Sequence, residues 1–464
     1  MPPRSSAVRT PLPGPRARQL IERGSFDLQN VYRSAIFDDV ASHGTTLVDV
    51  DGNSFLDLFS SFALGALGYN HPALLAVARS EAFVHAAVNP SSTPFITTQA
   101  WVDFVDEVGR RFAPKGMSHV YFVDAGGEGV ESALKEAFIV FGERRRAAAG
   151  QPRNPLELPA DAQAKMLDNA GTDAVVVSFS GAFHGRGLGP LSATHSKTIH
   201  KADMPAFPWP TVPFPASRHP ADRYTAENAT AEAASLAALD EVLATYAGRV
   251  AAVIVEPVQS EGGDRHASGA FYRGVQARAK AAGAAFILDE VQTGVGISGT
   301  LWCHEQLDLP EPPDMVTFGK KMQLGGFFCS EAFTVRQFGR MYQTRNGDRT
   351  RAMLALATLR ALVDDDLLAN VRDTGALFKA GLVDLAETFP ALITEPRGRG
   401  FLLAFDLPTP ALRDEFLRRS MAHGVFATYT GTRSVRLRPH LITTPADVSD
   451  ALATFAVVAQ EMSA

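Results

Sequence analysis

The chain has 464 residues, of which 46% are hydrophobic and 20% are charged, as is usual for a globular protein with a large core. Its formal net charge of -6 and a pI near 6.1 exclude the basic surface of a nucleic-acid-binding protein, so we expect no nucleic acid partner. Two cysteines, Cys303 and Cys329, cannot build a disulfide scaffold, and neither belongs to a CxxC pair. The histidines lack metal-ligand spacing, so we predict no metal site.

The N-terminal region is rich in arginine and proline and contains no apolar run that could form the core of a signal peptide. No segment offers the roughly 18 consecutive apolar residues that a membrane-spanning helix needs. We therefore expect a cytoplasmic protein with a loosely structured N-terminal tail and no membrane partner.

Short apolar runs alternate with helical patterns through the middle of the chain. The patterns predict strands at 119–123, 174–178, 250–255, 285–289 and 315–318, and helices at 128–146 and 274–282. The proline-rich stretch 206–220 is predicted to be a long loop. Strand and helix in alternation imply right-handed βαβ units, so the fold class is α/β with a mainly parallel sheet.

The pattern changes near residue 365. Helices at 367–389 and 410–423, strands at 400–405 and 434–437 and a final helix predict a smaller α+β domain. The chain is therefore divided into three parts: an N-terminal tail and segment packing with the small domain (1–75), a large domain (76–364) and the small domain (365–464).

Asp289 and Lys320 follow two successive predicted strands. Parallel strands bring ligand-binding side chains together at their carboxyl ends, so this carboxylate and this amine could flank one cofactor ring. Pyridoxal phosphate (PLP) needs such a pair: a lysine for the imine and an acid against the pyridine nitrogen, which keeps the ring an electron acceptor. On these two motifs alone, a salt bridge at a sheet edge is an equally good interpretation.

Two further motifs supply what a phosphorylated cofactor and its substrate need. The glycines in the segment DAGGEGV, 124–130, let backbone N–H groups and a helix dipole approach an anion, although an ordinary glycine turn fits them as well. In the segment FHGR, Phe183 could stack on a pyridine ring and Arg186 could bind a substrate carboxylate through two hydrogen bonds. Taken alone, this segment is better explained as a surface loop.

The segments AGGEGVESALK, FHGR, EPVQSEGG, LDEVQTGVG, FGKK and VRLRP occur in the order seen in class III aminotransferases, which are fold-type I PLP enzymes. The resemblance runs from about residue 45 to the C-terminus, and FHGR, EGGDRH, DEVQTG, FGKK and PRGRG are most similar to bacterial L-lysine 6-aminotransferases. It implies a large domain with a mainly parallel seven-stranded sheet between helices and a small α+β domain.

The resemblance also implies roles for single residues. Lys320 would form the Schiff base with the cofactor and carry the proton between substrate carbon and cofactor. The cofactor contacts that it implies are Gly126 and Gly127 at the phosphate, Phe183 and Val291 on the two faces of the ring, and Asp289 at the pyridine nitrogen. Gln292 would lie near the phenolic oxygen of the cofactor and also contact the substrate. Thr344 would bind the phosphate of the cofactor in the neighbouring subunit. A homodimer with shared active sites follows from the role of Thr344.

The substrate contacts implied by the resemblance are an arginine for the donor carboxylate and a switchable ion pair. Arg186 matches the arginine, and Glu261 and Arg436 match the pair. With L-lysine as donor the pair stays closed; with 2-oxoglutarate as acceptor Glu261 swings away and Arg436 binds a carboxylate. The expected reaction moves the terminal amino group of L-lysine, or of a similar diamino acid, to 2-oxoglutarate, giving a semialdehyde and L-glutamate.

The sequence departs from the family pattern at a few positions. The residues after Thr344 are RNGD, 345–348, where the family usually has Trp-Gly-Gly-Asn; Gly129 replaces an alanine, and His440 replaces a proline. Two other functions stay open: a related PLP reaction of specialised metabolism on a different amine or aldehyde (aminotransfer, decarboxylation or racemisation), and a non-catalytic binding protein. Dependence on an amino acceptor separates the first from the expected reaction, and a cofactor absorption band excludes the second.

Overall fold

The computed structural model describes residues 7–29, 33, 35–89, 95–167 and 172–463. Its helices are α1 (Pro15–Arg23), α2 (Pro72–Ala78), α3 (Glu81–Val88), α4 (Gln99–Glu107), α5 (Gly126–Ala148), α6 (Ala160–Leu167), α7 (Leu188–Ala193), α8 (Thr225–Thr245), α9 (Gly269–Ala281), α10 (Arg349–Asp364), α11 (Leu367–Thr388), α12 (Pro410–Ala422) and α13 (Pro445–Ser463). Its strands are β1 (Thr46–Val48), β2 (Ser54–Asp57), β3 (His119–Val123), β4 (Val175–Phe179), β5 (Thr211–Val212), β6 (Val250–Val255), β7 (Ala285–Asp289), β8 (Met315–Phe318), β9 (Gly325–Cys329), β10 (Thr394–Arg399), β11 (Leu402–Asp406), β12 (Val425–Phe426), β13 (Thr428–Thr430) and β14 (Ser434–Leu437).

Seven strands form the central sheet in the order β3-β9-β8-β7-β6-β4-β5. All neighbours pair in parallel except β9, which is antiparallel to both β3 and β8. The fold is therefore α/β with a mainly parallel seven-stranded sheet, as the sequence predicted. The carboxyl ends of β7 and β8 are adjacent, because Asp289 pairs with Thr317 in the ladder.

Helices cover both faces of this sheet, which explains the continuous apolar runs in its strands. Val253 and Val255 of β6 face one hydrophobic cluster, which includes residues of α8 and α9. Ala252 and Ile254, which alternate with them, face a second cluster built on α5. Every residue of β6 and β7 is buried, so the loops that leave these strands start from a rigid base.

Two smaller sheets accompany the C-terminal part. One has the order β10-β11-β14-β13, and the other pairs β2 with β1 and, in parallel, with β12. Leu56 and Leu58 share a hydrophobic cluster with residues of α11, α12 and α13. The N-terminal segment thus packs on the C-terminal sheets, while the domain boundaries at residues 75 and 364 stay predictions.

Several elements differ from the sequence prediction. The helix predicted at 274–282 begins at Gly269, because the hydroxyl of Ser268 accepts the N–H of Phe271 at 3.3 Å and caps an earlier turn. The proline-rich stretch 206–220 contains the short edge strand β5, which pairs with the end of β4. The antiparallel strand β9 was not predicted, since it begins with two glycines.

No helix in the described part of the chain is long and apolar enough to cross a membrane.

Candidate active site

Asp289 ends β7 and is held by three hydrogen bonds. Its Oδ1 accepts from the hydroxyl of Thr317 at 3.0 Å and from the N–H of Val291 at 3.1 Å, and its Oδ2 lies 2.7 Å from Nδ1 of His184. Because the partner is a carboxylate, Nδ1 carries the proton. Asp289 and His184 are both buried. A fixed carboxylate at this strand end can pair with a protonated ring nitrogen.

Lys320 follows β8 and lies at the same edge of the sheet as Asp289. No hydrogen bond holds its amine among the residues that the structure describes. Burial, and secondarily the charge of Arg436, lowers the pKa of Lys320 to about 8, although Glu261 partly opposes the shift. A substantial share of the amine is therefore neutral near pH 8 and able to act as a nucleophile or base.

Lys321, the next residue in the chain, is also a lysine, but its side chain is fully buried and its amine is already hydrogen-bonded. Its amine donates to the backbone oxygen of Gln292 at 3.0 Å and to that of Ala63 at 3.4 Å. Burial, and secondarily the charge of Lys320, lowers the pKa of Lys321 well below its ordinary value. The structure therefore separates a free amine at 320 from a tethered one at 321.

The glycines of the predicted phosphate cradle open α5, a helix of 23 residues. The first-turn amides of a helix have no intrahelical acceptor and favour an anion. A Cβ on Gly126 would stand 2.6 Å from Cγ1 of Val291, whereas the nearest atom to a Cβ on Gly127 would be Cα of Gly185 at 4.0 Å. The cradle thus touches the loop that follows Asp289, and the residues present fit a phosphorylated ring placed between the two loops.

The glycine at 129, a departure from the family pattern, has a steric reason. A Cβ at this position would lie 2.6 Å from the backbone nitrogen of Gly326, so α5 could not pack as closely on β9. A glycine inside a helix lowers the stability of the helix relative to alanine, and here the close approach of α5 to β9 explains why glycine is present.

Phe183 lies in the loop after β4, and its N–H donates to Oε1 of Glu256 at 2.8 Å. The other oxygen of Glu256 accepts the N–H of Ser260 at 3.3 Å. Burial, and secondarily the nearby carboxylate of Asp289, raises the pKa of Glu256 well above its ordinary value. Glu256 thus links the loop of Phe183 to the loop of Glu261. The packing of Phe183 and Val291 against the two cofactor faces stays a prediction.

Glu261 and Arg436 form the ion pair expected of a switch. Oε1 of Glu261 accepts from the Arg436 guanidinium at 2.5 Å, and its Oε2 lies 3.3 Å from the amine of Lys197. Burial alone would raise the pKa of Glu261, but Arg436 and Lys197 more than offset it and hold it at about 2. Glu261 is therefore ionised at any working pH, and in this conformation it cancels the charge of Arg436.

The side chain of Gln292 is oriented by Arg438. Nε of Arg438, which can only donate, lies 2.9 Å from Oε1 of Gln292. The amide NH₂ of Gln292 has no hydrogen-bond acceptor in the described part of the chain, so it can donate, as the predicted contact with a phenolic oxygen requires. Arg438 is itself fully buried and paired with Asp264.

Arg186 is exposed, and its guanidinium carbon lies 5.9 Å from the ring centre of Phe183. Within the described ranges its guanidinium makes no hydrogen bond or ion pair, so it is available to a ligand. Thr344 is also exposed, and its contact with the phosphate of a neighbouring subunit stays a prediction. Next to it, Arg345 is paired with Asp348, which caps α10 by accepting two backbone N–H groups, so the departure at 345–348 has a structural role.

The sequence interpretation missed several residues around this site. His184, Lys197, Glu256 and Arg438 each contact a predicted site residue. Three of them lie inside motifs whose other residues were given the roles: His184 is the second residue of FHGR, Glu256 the first of EPVQSEGG and Arg438 the fourth of VRLRP. Lys197 carried no signal, because a lone lysine in a loop is normally a solvated charge.

Comparison with known proteins gives consistent matches over nearly the whole chain. Residues 30–458 match the family described as aminotransferase class-III. The 4-aminobutyrate aminotransferase of Dictyostelium discoideum is 37% identical over 456 residues, which are 98% of this chain and 91% of that protein. The mitochondrial 4-aminobutyrate aminotransferase of Homo sapiens is 37% identical over 439 residues, 94% of this chain and 87% of that protein. The structure of a lysine aminotransferase from M. tuberculosis matches with a TM-score of 0.82 and 32% identity, covering 96% of this chain and 98% of that one.

The family match and the fit of the cradle, the fixed carboxylate and the free lysine agree on the cofactor, which is pyridoxal 5'-phosphate. Fold, sequence and cofactor lead to the same assignment: the chain belongs to the class III aminotransferases, PLP-dependent enzymes of fold type I.

Proposed function

We propose that this aminotransferase moves the terminal amino group of an ω-amino acid to 2-oxoglutarate, giving a semialdehyde and L-glutamate. The observation that carries the proposal is the closed Glu261–Arg436 pair, with its 2.5 Å hydrogen bond and with Arg436 only 1% exposed. An unmasked arginine would attract the α-carboxylate of any amino acid and place its α-amine at the reacting centre. A masked arginine lets a remote amine react there instead.

When bound, PLP supplies the carbonyl group that exchanges amines and the ring that accepts electrons from the substrate carbon. Lys320 holds or releases a proton at its Nζ, for which a pKa of about 8 is suited. Asp289, fixed by Thr317 and His184, stabilises a proton on the pyridine nitrogen. Gln292 donates from the amide that Arg438 has oriented.

The acceptor half of the reaction needs the opposite state of the switch. The dicarboxylate 2-oxoglutarate requires a cation for its distal carboxylate, and Arg436 provides one when Glu261 moves away. Lys197 gives the displaced Glu261 a second cation, since the two already lie 3.3 Å apart. In one state of the switch, the pocket accepts donors that have no α-carboxylate near the reacting amine. In the other state, the same pocket accepts the dicarboxylate 2-oxoglutarate.

For the donor, 4-aminobutyrate or a similar ω-amino acid is the first candidate. Its carboxylate would bind Arg186, and nothing else on it needs a partner. The α-ammonium group of L-lysine would also approach the positive charges of Arg186 and Lys197, which disfavours its binding. The nearby carboxylate of Glu261 does not offset this repulsion, because it is already paired with Arg436 and Lys197. The 4-aminobutyrate aminotransferases at 37% identity support the same choice. L-Lysine is the second candidate, supported by the lysine aminotransferase of similar structure.

The site is proposed to be completed in a homodimer by Thr344 of a neighbouring subunit at the phosphate. Thr344 is exposed, and beside it lies an exposed aromatic cluster in which the rings of Phe338 and Tyr342 each stand 5.7 Å from that of Phe95. Phe95 and Phe338 are 66% and 83% exposed, as residues buried only by a partner would be.

The test is a donor screen with the purified holoenzyme and 2-oxoglutarate, scoring glutamate formed from 4-aminobutyrate, L-lysine, L-ornithine and L-alanine. We expect 4-aminobutyrate to give the highest kcat/KM, with Lys320→Ala as the inactive control. Higher kcat/KM for L-lysine, with a cyclic imine product, selects the second candidate. Release of carbon dioxide or racemisation without glutamate contradicts the proposal and selects the other PLP reactions.

A further inference from the structure

A left-handed turn at Ser60–Ala63 adjoins the substrate switch. All four residues have positive φ, between 41° and 65°, and none of them is glycine. Such backbone is unfavourable for residues with a side chain, and a run of four is held only when the surroundings fix it. Strained backbone of this kind is concentrated at functional sites, which suggests that the turn places one of its side chains for a function.

The turn is fixed from several sides. Asp57 accepts the N–H of Phe59 at 2.8 Å and that of Ser60 at 3.0 Å, and the hydroxyl of Ser60 donates to the backbone oxygen of Arg438 at 2.6 Å. At the other end, the amine of Lys321 donates to the oxygen of Ala63 at 3.4 Å. These contacts tie the turn to the strand of Arg436 and to the loop of Lys320.

The same region is secured by His440, a departure from the family pattern. Its Nδ1 lies 3.0 Å from the backbone oxygen of Gly65, and its Nε2 lies 3.1 Å from the carboxylate of Asp57. The segment before the turn and the segment after it are thus joined through one buried side chain.

The turn directs one side chain towards the switch. The ring centre of Phe62 lies 5.1 Å from the guanidinium carbon of Arg436, which is within cation–π range. The ring of Phe59 packs edge-on against Phe62 at 4.5 Å and supports it from behind. The guanidinium of Arg436 is therefore contacted by the carboxylate of Glu261 and by an aromatic ring, and its Nε has no partner among the described residues.

Resting on the proposed function, we propose that Phe62 is a specificity-determining residue of the acceptor site. Glu261 leaves Arg436 in the acceptor half-reaction, whereas Phe62 is held by its turn and stays. The ring then remains the neighbour that stabilises and orients the bare guanidinium, so that it presents its N–H groups to the distal carboxylate of a dicarboxylic keto acid. The strain of the turn is explained by this placement of the ring.

The experiment measures glutarate binding to the holoenzyme by calorimetry, because glutarate has both carboxylates of the acceptor and cannot react. We expect Phe62→Leu, which keeps apolar bulk without a π face, to weaken glutarate binding about three- to tenfold, and Phe62→Tyr to stay within about twofold. The KM for 2-oxoglutarate should rise in parallel in Phe62→Leu, with the donor KM within about twofold of wild type. Phe207→Leu is the matched control, because Phe207 is 49% exposed, close to the 47% of Phe62, and stacks on Trp209 outside the site.

The variant Arg436→Ala distinguishes a failure of the role proposed for Phe62 from a failure of the proposed function. Loss of glutarate binding in Arg436→Ala together with weaker binding in Phe62→Leu supports the role of Phe62. Equal glutarate affinity in Phe62→Leu and wild type overturns that role and leaves the proposed function standing. Unchanged affinity in Arg436→Ala overturns both, because the acceptor carboxylate then binds elsewhere.

Discussion

His184 and Asp289 are 105 residues apart in the chain, yet Nδ1 of one lies 2.7 Å from Oδ2 of the other in a site closed to solvent. The contact joins the loop after β4 to the end of β7. It gives Asp289 a hydrogen-bond donor that fixes the orientation of the carboxylate proposed to face the cofactor nitrogen.

Asp289→Ala should therefore lower turnover by about 10²-fold or more, because the protonated ring nitrogen loses its counter-charge. His184→Ala should have the smaller effect, about tenfold, since it removes the orienting group and leaves the charge. Single-turnover rates with excess donor measure both. The assignment is wrong if Asp289→Ala reacts at a near-normal rate or if His184→Ala is the slower variant.

We expect the two adjacent lysines to have different roles, with Lys320 acting in the chemistry and Lys321 stabilising the structure. Lys320→Ala should abolish turnover and the visible absorbance of lysine-bound cofactor, with little change in Tm. Lys321→Ala should keep the absorbance and lower the free energy of unfolding by about 1–3 kcal/mol, because two backbone oxygens lose their donor. Absorbance and thermal unfolding of both variants are the measurements. Loss of the band in Lys321→Ala alone would reverse the assignment.

The pH dependence of cofactor uptake should report the amine of Lys320. Its pKa is lowered to about 8, so the neutral, nucleophilic form increases as the pH rises through 8, and the uptake rate should rise with it and then level off. Glu261 raises this pKa and Arg436 lowers it. The midpoint should therefore move to lower pH in Glu261→Gln and to higher pH in Arg436→Gln. Stopped-flow reconstitution of the apoenzyme tests this, and shifts of the same sign in both variants would contradict it.

The sequence predicted the elements that local pattern determines. The continuous apolar run at Val250–Val255 is the strand it predicted, and Asp289 and Lys320 lie at adjacent strand ends because parallel strands share an edge. Contacts that depend on long-range packing were not predictable. The turn that carries Phe62 contradicts the backbone preference of each of its residues, and the glycine at 129 is explained only by its approach to Gly326.

Glu256 should not tolerate an amide, although Gln has the same shape. Its two oxygens accept the N–H groups of Phe183 and Ser260 separately, and an amide offers only one acceptor oxygen. Glu256→Gln should therefore lower kcat by about tenfold or more and alter the circular dichroism of the bound cofactor. Glu136→Gln is the matched control: Glu136 is equally buried, but among the described residues only one N–H, that of Val335, donates to it. Equal activity in the two variants would leave Glu256 as a space-filling group.

Glu261 and Arg436 should act on different halves of the reaction. Arg436 is always charged, so Glu261→Ala leaves a bare guanidinium that attracts α-carboxylates. This variant should lose its preference for terminal amines and begin to convert ordinary α-amino acids, while its half-reaction with 2-oxoglutarate is retained.

Arg436→Ala should mainly impair the half-reaction with 2-oxoglutarate, because it removes the partner of the acceptor carboxylate. Loss of a charge-assisted contact is worth about 1.5–3 kcal/mol, or about ten- to a hundredfold in kcat/KM. Stopped-flow of each half-reaction in each variant is the measurement, with Arg433→Ala as the control, because Arg433 is a partly exposed arginine paired with Asp406 outside the site. If both substitutions slow both halves equally and the reacting amine does not change, the pair is structural, and the selectivity for terminal amines must arise elsewhere in the pocket.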